Sequence, residues 1–324
     1  MHPTITTLLV AASLSLGTAM AGLAAGYPTR TITLVVGFTP GGPSDVMSRI
    51  VGAQLEKQLG QPFVILNRPG EGGNLAAEMV AHADADGHTL LMGNNSILAT
   101  NAALYKRLGF DPERDFVAVS LVGLQANILV VNPKLAAASL AELIALAKAN
   151  PGRLNYASSG HGAAAHLAGE LFKSRAQVDI VHVAYKGAAP ALQDVVGGQV
   201  EMMFATSSSV IEHIRAGTVR ALAVTTPKRT SLLPELPTVA ELGYPGFDAT
   251  TWHGLVAPAA TPREVIAALH DATAAALKEP GVVKSMADLG IDIAASSPAE
   301  FAAYIASEIP KWTKVVKDSG ARLD

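Results

Sequence analysis

The chain has 324 residues, 49% of them hydrophobic and 16% charged, with a formal net charge of -3 and no cysteine. That length suits one large domain or two medium ones with ample core, and the composition excludes global disorder. There is no basic surplus to neutralise a phosphate backbone, so no nucleic-acid partner is expected, and the missing thiols exclude disulfides, thiolate zinc sites, iron–sulfur clusters and cysteine nucleophiles.

Residues 1–29 carry no Lys, Arg, Asp or Glu, and residues 5–25 are rich in Ala and Leu. Ala19 and Ala21 form a small-x-small cleavage pattern, and Ala24 and Ala25 offer a second one. Residues 1–26 therefore read as a secretory signal peptide, although the n-region holds only His2 and the terminal amine. An uncleaved anchor is the alternative; the many weakly apolar residues and the lack of a flanking charge favour cleavage. No later segment is an apolar run long enough to span a membrane, so the mature chain is expected to be soluble and exported.

Strand and helix patterns then alternate. Residues 31–36 form a β-rich run, and residues 44–59 place Val46, Ile50, Val51, Leu55 and Leu59 on one helical face. Strands are expected at 63–66 and 89–92, with a helix at 75–83 between them. This βαβα order predicts an α/β sheet with helices on its faces. Further strands are expected at 128–131, 154–157, 180–184, 200–204 and 220–224. Helices are expected from Ser139 to the Pro151-Gly152 stop and at 164–172, 190–196 and 210–215. The tail reads as helical, with capping boxes at Thr261–Glu264 and Ser297–Glu300 to match the one at Ser139–Glu142. A strand, a Gly-rich loop and a helix occur at 32–59 and again at 154–172, so each is expected to head one lobe. Strands near 128–131 and 254–257 are the expected crossings between the lobes.

Chemistry is expected at the two Gly-rich loops. In the first, Phe38, Pro40, Gly41, Gly42, Ser44 and Asp45 lie where a strand ends and a helix begins. Free N–H groups and the helix dipole there make an anion site that needs no Lys or Arg. Ser158, Ser159, Gly160, His161, Gly162 and Ala163 repeat the arrangement before the second helix. Neither loop carries a dinucleotide or P-loop motif. Lys186-Gly187 resembles a further helix-start loop, either an anion site or a cap. Asp45 reads chiefly as a partner of its helix dipole. No metal or cofactor is expected: His166 and Glu170 stand one helical turn apart with His161 five residues before His166, a one-helix chelate for which Gly162 and Ala163 to Ala165 supply no third ligand, while His182, His213 and His253 read as isolated structural residues. A hydrolase using Ser158 or Ser159 with His161 is the rival, weakened because no nucleophile elbow projects the serine.

Taken in order, these residues resemble the Bug family of periplasmic solute-binding proteins, the receptors of tripartite tricarboxylate transporters. The resemblance rests on Pro40-Gly41-Gly42 with Asp45 and Arg49, Asn67-Arg68-Pro69-Gly70, Tyr156-Ala157-Ser158-Ser159-Gly160, His166–Glu170, Tyr185-Lys186-Gly187, Pro237-Thr238 and Trp252. It implies a type II periplasmic binding fold, with lobe 1 from 27–127 and 251–324, lobe 2 from 128–250, and a hinge and central cleft. It also implies a monomer, a periplasmic location, no enzyme activity, a small carboxylate ligand and membrane permease subunits as partners, with a sensor role as the alternative to transport. By the same resemblance the two loops named above hold the ligand through backbone amides and water. His161, Ala163 and Ala164 stand where the family usually has Asn and Thr-Pro. Met203–Thr206 lacks the Asp that would meet an α-amino group, which turns the expectation away from amino acids.

Overall fold

The computed structural model describes residues 26–319; the expected signal peptide lies outside them except for Gly26. No helix among the described residues is long and apolar enough to cross a membrane. The first stretch runs β1 (Ile32–Val36), α1 (Pro43–Leu59), β2 (Phe63–Asn67), α2 (Asn74–Ala81) and β3 (Thr89–Asn94). A π-helical turn (Ser96–Thr100), the short α3 (Asn101–Leu104) and β4 (Phe116–Gln125) follow. The middle stretch holds β5 (Asn127–Val131), α4 (Leu140–Ala149), β6 (Asn155–Ser158), α5 (Ala164–Ala176) and β7 (Val181–Ala184). It ends with α6 (Ala188–Gly197), β8 (Met202–Thr206), α7 (Ser207–Arg215) and β9 (Arg220–Val224). The last stretch is β10 (Thr251–Pro258), α8 (Arg263–Ala276), α9 (Pro280–Asp288), β11 (Ile291–Ile293) and α10 (Pro298–Ser319).

These elements build two sheets. The first has the order β11-β4-β10-β3-β1-β2 and the second β7-β6-β8-β5-β9. In the first, β1 pairs in parallel with both β2 and β3; in the second, β6 pairs in parallel with both β7 and β8. Each of these strands therefore sits where the order of winding reverses, the point at which open α/β sheets bind ligands beyond their strand C-termini. The two Gly-rich loops leave from these points. The chain passes from the first sheet to the second at Ala126, between β4 and β5, and returns just before β10. Strands 128–131 and 254–257 are thus sheet members rather than the crossings themselves.

Strand β4 is missing from the sequence reading: it is buried along most of its length and lacks the alternation of a half-exposed strand. Strand β10, buried throughout, contains the expected strand near 254–257 and extends it back to Thr251. Of the three expected capping boxes, that at Ser297–Glu300 closes in both directions, with 3.2 Å from the Glu300 N–H to Ser297 Oγ and 2.8 Å from the Ser297 N–H to Glu300 Oε2. Ser139 also accepts the Glu142 N–H, but Glu142 takes the Ala138 N–H in return. At Thr261–Glu264 no box forms, because Pro262 occupies the N-cap and its backbone leaves Thr261 one residue too early.

Helix α10 locks the ensemble together. The buried Glu308 accepts the indole N–H of Trp252 on β10 at 2.9 Å and that of Trp312 at 2.8 Å. Lys311 bridges Glu308 and Asp248, each at 3.0 Å, so one helix ties β10 to the returning crossing. Asn127 does the same between the crossings: its amide donates to Ala249 O at 2.7 Å, and its Oδ1 accepts from Thr251 Oγ1 at 3.1 Å.

Candidate functional site

Four helices begin at the gap between the two sheets, and none of the four has a side-chain cap. Their N-caps are Gly42 for α1, Ala163 for α5, Gly187 for α6 and Thr206 for α7. First-turn N–H groups have no intrahelical acceptor, so each start presents donors and the positive end of a dipole. All four reach one inner cavity of about 50 Å³, lined by Gly42 to Ser44, Ala163 to Ala165, Gly187, Ala188 and Thr206. Phe38, Met203 and Phe204 give it apolar walls. Among the described residues not one Asp, Glu, Lys or Arg lines it. The floor is polar but neutral: Asn94, Ser96, Thr251 and His253. Ser96 Oγ and His253 Nδ1 are buried there without a hydrogen-bond partner within the protein. His253 Nε2 lies 2.9 Å from Ser44 Oγ, and burial pushes the ring's pKa down to about 3, so it is a neutral polar group at neutral pH.

Phe38, Thr39 and Ser159 also border an outer cavity of about 620 Å³. Its other walls are Pro69 to Gly73 and Tyr105 on one side, and Gly160, His161 and Ala184 to Lys186 on the other. Burial and the Glu71 carboxylate push the Tyr105 hydroxyl up to about 12, which keeps it a donor. Here the surface does carry charge, with Lys186 and Glu71 at the rim.

The expected site residues fall into three groups. Phe38, Gly42, Ser44, Ser159 and Ala163 line the inner cavity, and Gly160 and His161 the outer one. Asp45 and Ser158 are buried behind the loops and hold them in shape. Burial raises the Asp45 pKa, but its fork to Arg49, the Gly41 N–H at 2.9 Å and the Asn67 amide at 3.0 Å outweigh that and hold the carboxyl below its usual range. Ser158 Oγ donates to Gly160 O at 2.9 Å and lies 2.6 Å from His182 Nε2. Ser158, one of the two serines of the rival hydrolase, is therefore paired with His182, not His161, and buried. Pro40 and Gly41 shape the first loop without lining either cavity. Gly162, with φ of 73°, lies against Asn101 and Leu104 of the facing lobe, where a Cβ would stand 2.8 Å from Asn101 Oδ1. Gly187 meets Thr39 across the gap in the same way. The two lobes thus touch, and the cleft is closed.

Several lining residues carried no signal in the sequence. Asn94 ends β3, Ser96 follows it and Thr251 opens β10, and none of them belongs to a glycine motif. His253 and His182 read as isolated because their partners are distant in the chain. The expected strand at 200–204 carries no glycine loop after it, yet β8 runs at once into α7, which gives the same strand-to-helix signal as the first two loops.

A family model described as "Tripartite tricarboxylate transporter family receptor" matches residues 47–321. Protein BugT of Bordetella pertussis is 40% identical over 311 residues, covering 94% of this chain and 95% of that protein. Among solved structures, a Rhodopseudomonas palustris protein with adipate superposes with a TM-score of 0.88 at 40% identity, over 92% of this chain and 100% of that one. MatC of the same organism, with bound malate, gives 0.85 at 35% identity, over 90% and 100%.

Proposed function

The chain belongs to the tripartite tricarboxylate transporter receptor family of solute-binding proteins, which are not enzymes, and on that premise we propose that it captures a small carboxylate in the periplasm and presents it to membrane permease subunits. The observation that carries this reading is the convergence of four uncapped helix starts on an inner cavity without a charged side chain. An anionic group is held there by oriented N–H groups, as at other helix N-termini, with no cation to neutralise it. The same wall rejects amino acids, because no carboxylate lines the inner cavity to meet an ammonium group. The inner cavity alone is too small for a six-carbon acid. A di- or tricarboxylate or an aromatic acid would lodge one carboxylate inside and extend past Phe38 and Ser159 into the outer cavity, toward Lys186. The adipate and malate bound by two structural neighbours are carboxylates of this kind. Binding draws the lobes together because only the closed state offers donors from both.

The test is thermal unfolding of ligand-stripped protein against mono-, di- and tricarboxylates, aromatic acids and amino acids. A ligand at a hundredfold over its Kd adds about 2.7 kcal/mol to stability, a clear rise in Tm. Dicarboxylates or aromatic acids are expected to produce it. A response confined to amino acids, or none to any carboxylate, would overturn the proposal.

A further inference from the structure

Beside the carboxylate cleft, three imidazoles come together from three elements: His161 in the loop after β6, His166 in the first turn of α5, and His182 in β7. One ligating atom from each lies within 4.8 Å of the others, the only such group of His, Asp or Glu among the described residues. The His166 and His182 rings stack 4.0 Å apart, and His161 meets them edge-on at 5.8 Å and 5.1 Å. Among the described residues no carboxylate bonds to any of them. Glu170, one turn beyond His166, is held by the Tyr156 hydroxyl at 2.6 Å and by Lys173 at 3.0 Å. His161 is exposed and borders the outer cavity, so the cluster is open to ions from solvent.

From this geometry we infer a binding site for one divalent transition-metal ion of the zinc, nickel or copper class, held by the imidazoles of His161, His166 and His182. Three imidazoles and one open position are a known arrangement for such ions, which prefer nitrogen donors of this softness. Metal–nitrogen bonds of about 2.0–2.1 Å put tetrahedral ligand atoms roughly 3.3 Å apart, so the cluster must tighten by up to about 1.5 Å. Two bonds are exchanged in doing so. The Gly162 N–H donates to His166 Nδ1 at 3.1 Å, and Ser158 Oγ meets His182 Nε2 at 2.6 Å. Rotation about the soft ring torsion takes His166 and His182 out of their stack and turns a nitrogen of each to the common centre. His161 and Gly162 share one loop and move with it. The fourth position then faces the outer cavity, where water or a solute carboxylate oxygen completes the coordination.

The experiment is calorimetric titration of Zn²⁺ and Ni²⁺ into protein prepared without a polyhistidine tag, stripped with chelator, and kept in a buffer free of carboxylates. One ion per chain is expected to bind saturably. In His161→Ala, an exposed change that spares the core, affinity is expected to fall more than about tenfold. His182→Gln should do the same, and His213→Ala, which alters a histidine outside the cluster, should change nothing. Co²⁺ uptake should give a visible absorption band of a nitrogen-ligated ion that His161→Ala removes. Absence of saturable uptake would overturn the site, as would uptake equal in the wild type and His161→Ala. Because no carboxylate is present, either result leaves the proposed solute-binding function untouched.

Discussion

Asp45 and His253 show how charge is kept out of the cleft at the level of single side chains. Asp45 is ionised, yet its oxygens are fully engaged by Arg49, Gly41 and Asn67, so its charge shapes the first loop and does not line the inner cavity. His253 is neutral because burial lowers its pKa from 6.5 to about 3. Both pKa values are lowered by folding, so both groups contribute stability that is lost as the pH falls, but in different windows. Between about 6.5 and about 3 the unfolded chain binds a proton at His253 that the folded chain does not, whereas the Asp45 contribution is lost only below its ordinary value of 3.8. Urea unfolding of the wild type and His253→Gln at pH 7, 6 and 5 separates them. The wild type should lose about 1.4 kcal/mol per pH unit more than the variant once below pH 6.5. Parallel slopes would show that His253 titrates normally in the folded protein. The legible part of the site was the part written locally: glycines, a helix start and Asp45 lie within a few residues. His253 and Ser44 are partners 209 positions apart, and no pattern in one chain announces that pairing.

At the scale of elements, α10 carries more than its amphipathic sequence suggests. Glu308 at its middle accepts two indole N–H groups and pairs with Lys311, so burying this carboxylate is offset by three donors. Lys311 is drawn both ways: burial lowers its pKa, but Asp248 and Glu308 outweigh that and raise it. Removal of the acceptor leaves the indoles of Trp252 and Trp312 unpaired in the core and strips Lys311 of one partner. Glu308→Ala should therefore cost about 3–5 kcal/mol, read as a drop in the urea midpoint at unchanged slope. A loss under about 1 kcal/mol would show that the indoles find other acceptors. The helices with one apolar face and the half-exposed strands were readable from their period. Strand β4, buried along most of its length, was not, and of β10 only the part near 254–257 was; the Trp252–Glu308–Trp312 contact joins elements whose sequences give no sign of each other.

The whole molecule is a pair of lobes joined at two crossings and held shut by close contact across the cleft. Asn127 pins the crossings together with its amide, so motion between the lobes must turn about a point near it. At the far side of the cleft Gly162 packs on Asn101 and Leu104, and a methyl group there would stand 2.8 Å and 2.9 Å from their side chains. That collision exists only when the lobes meet; opening removes it. The left-handed backbone of residue 162 strains an alanine in both states and so largely cancels between them. Gly162→Ala should consequently shift the molecule toward the open form by the cost of overpacking, about 1–3 kcal/mol, which the solute must then supply on closing. The expected outcome is a Kd for the proposed carboxylate ligand raised by roughly five- to hundredfold, together with a larger radius of gyration in solution scattering at ligand concentrations that close the wild type. A variant that binds as tightly and scatters as compactly as the wild type would mean that Asn101 and Leu104 yield locally. The closed state would then be held by the solute's own bonds to the four helix starts, and not by the fit of one lobe against the other.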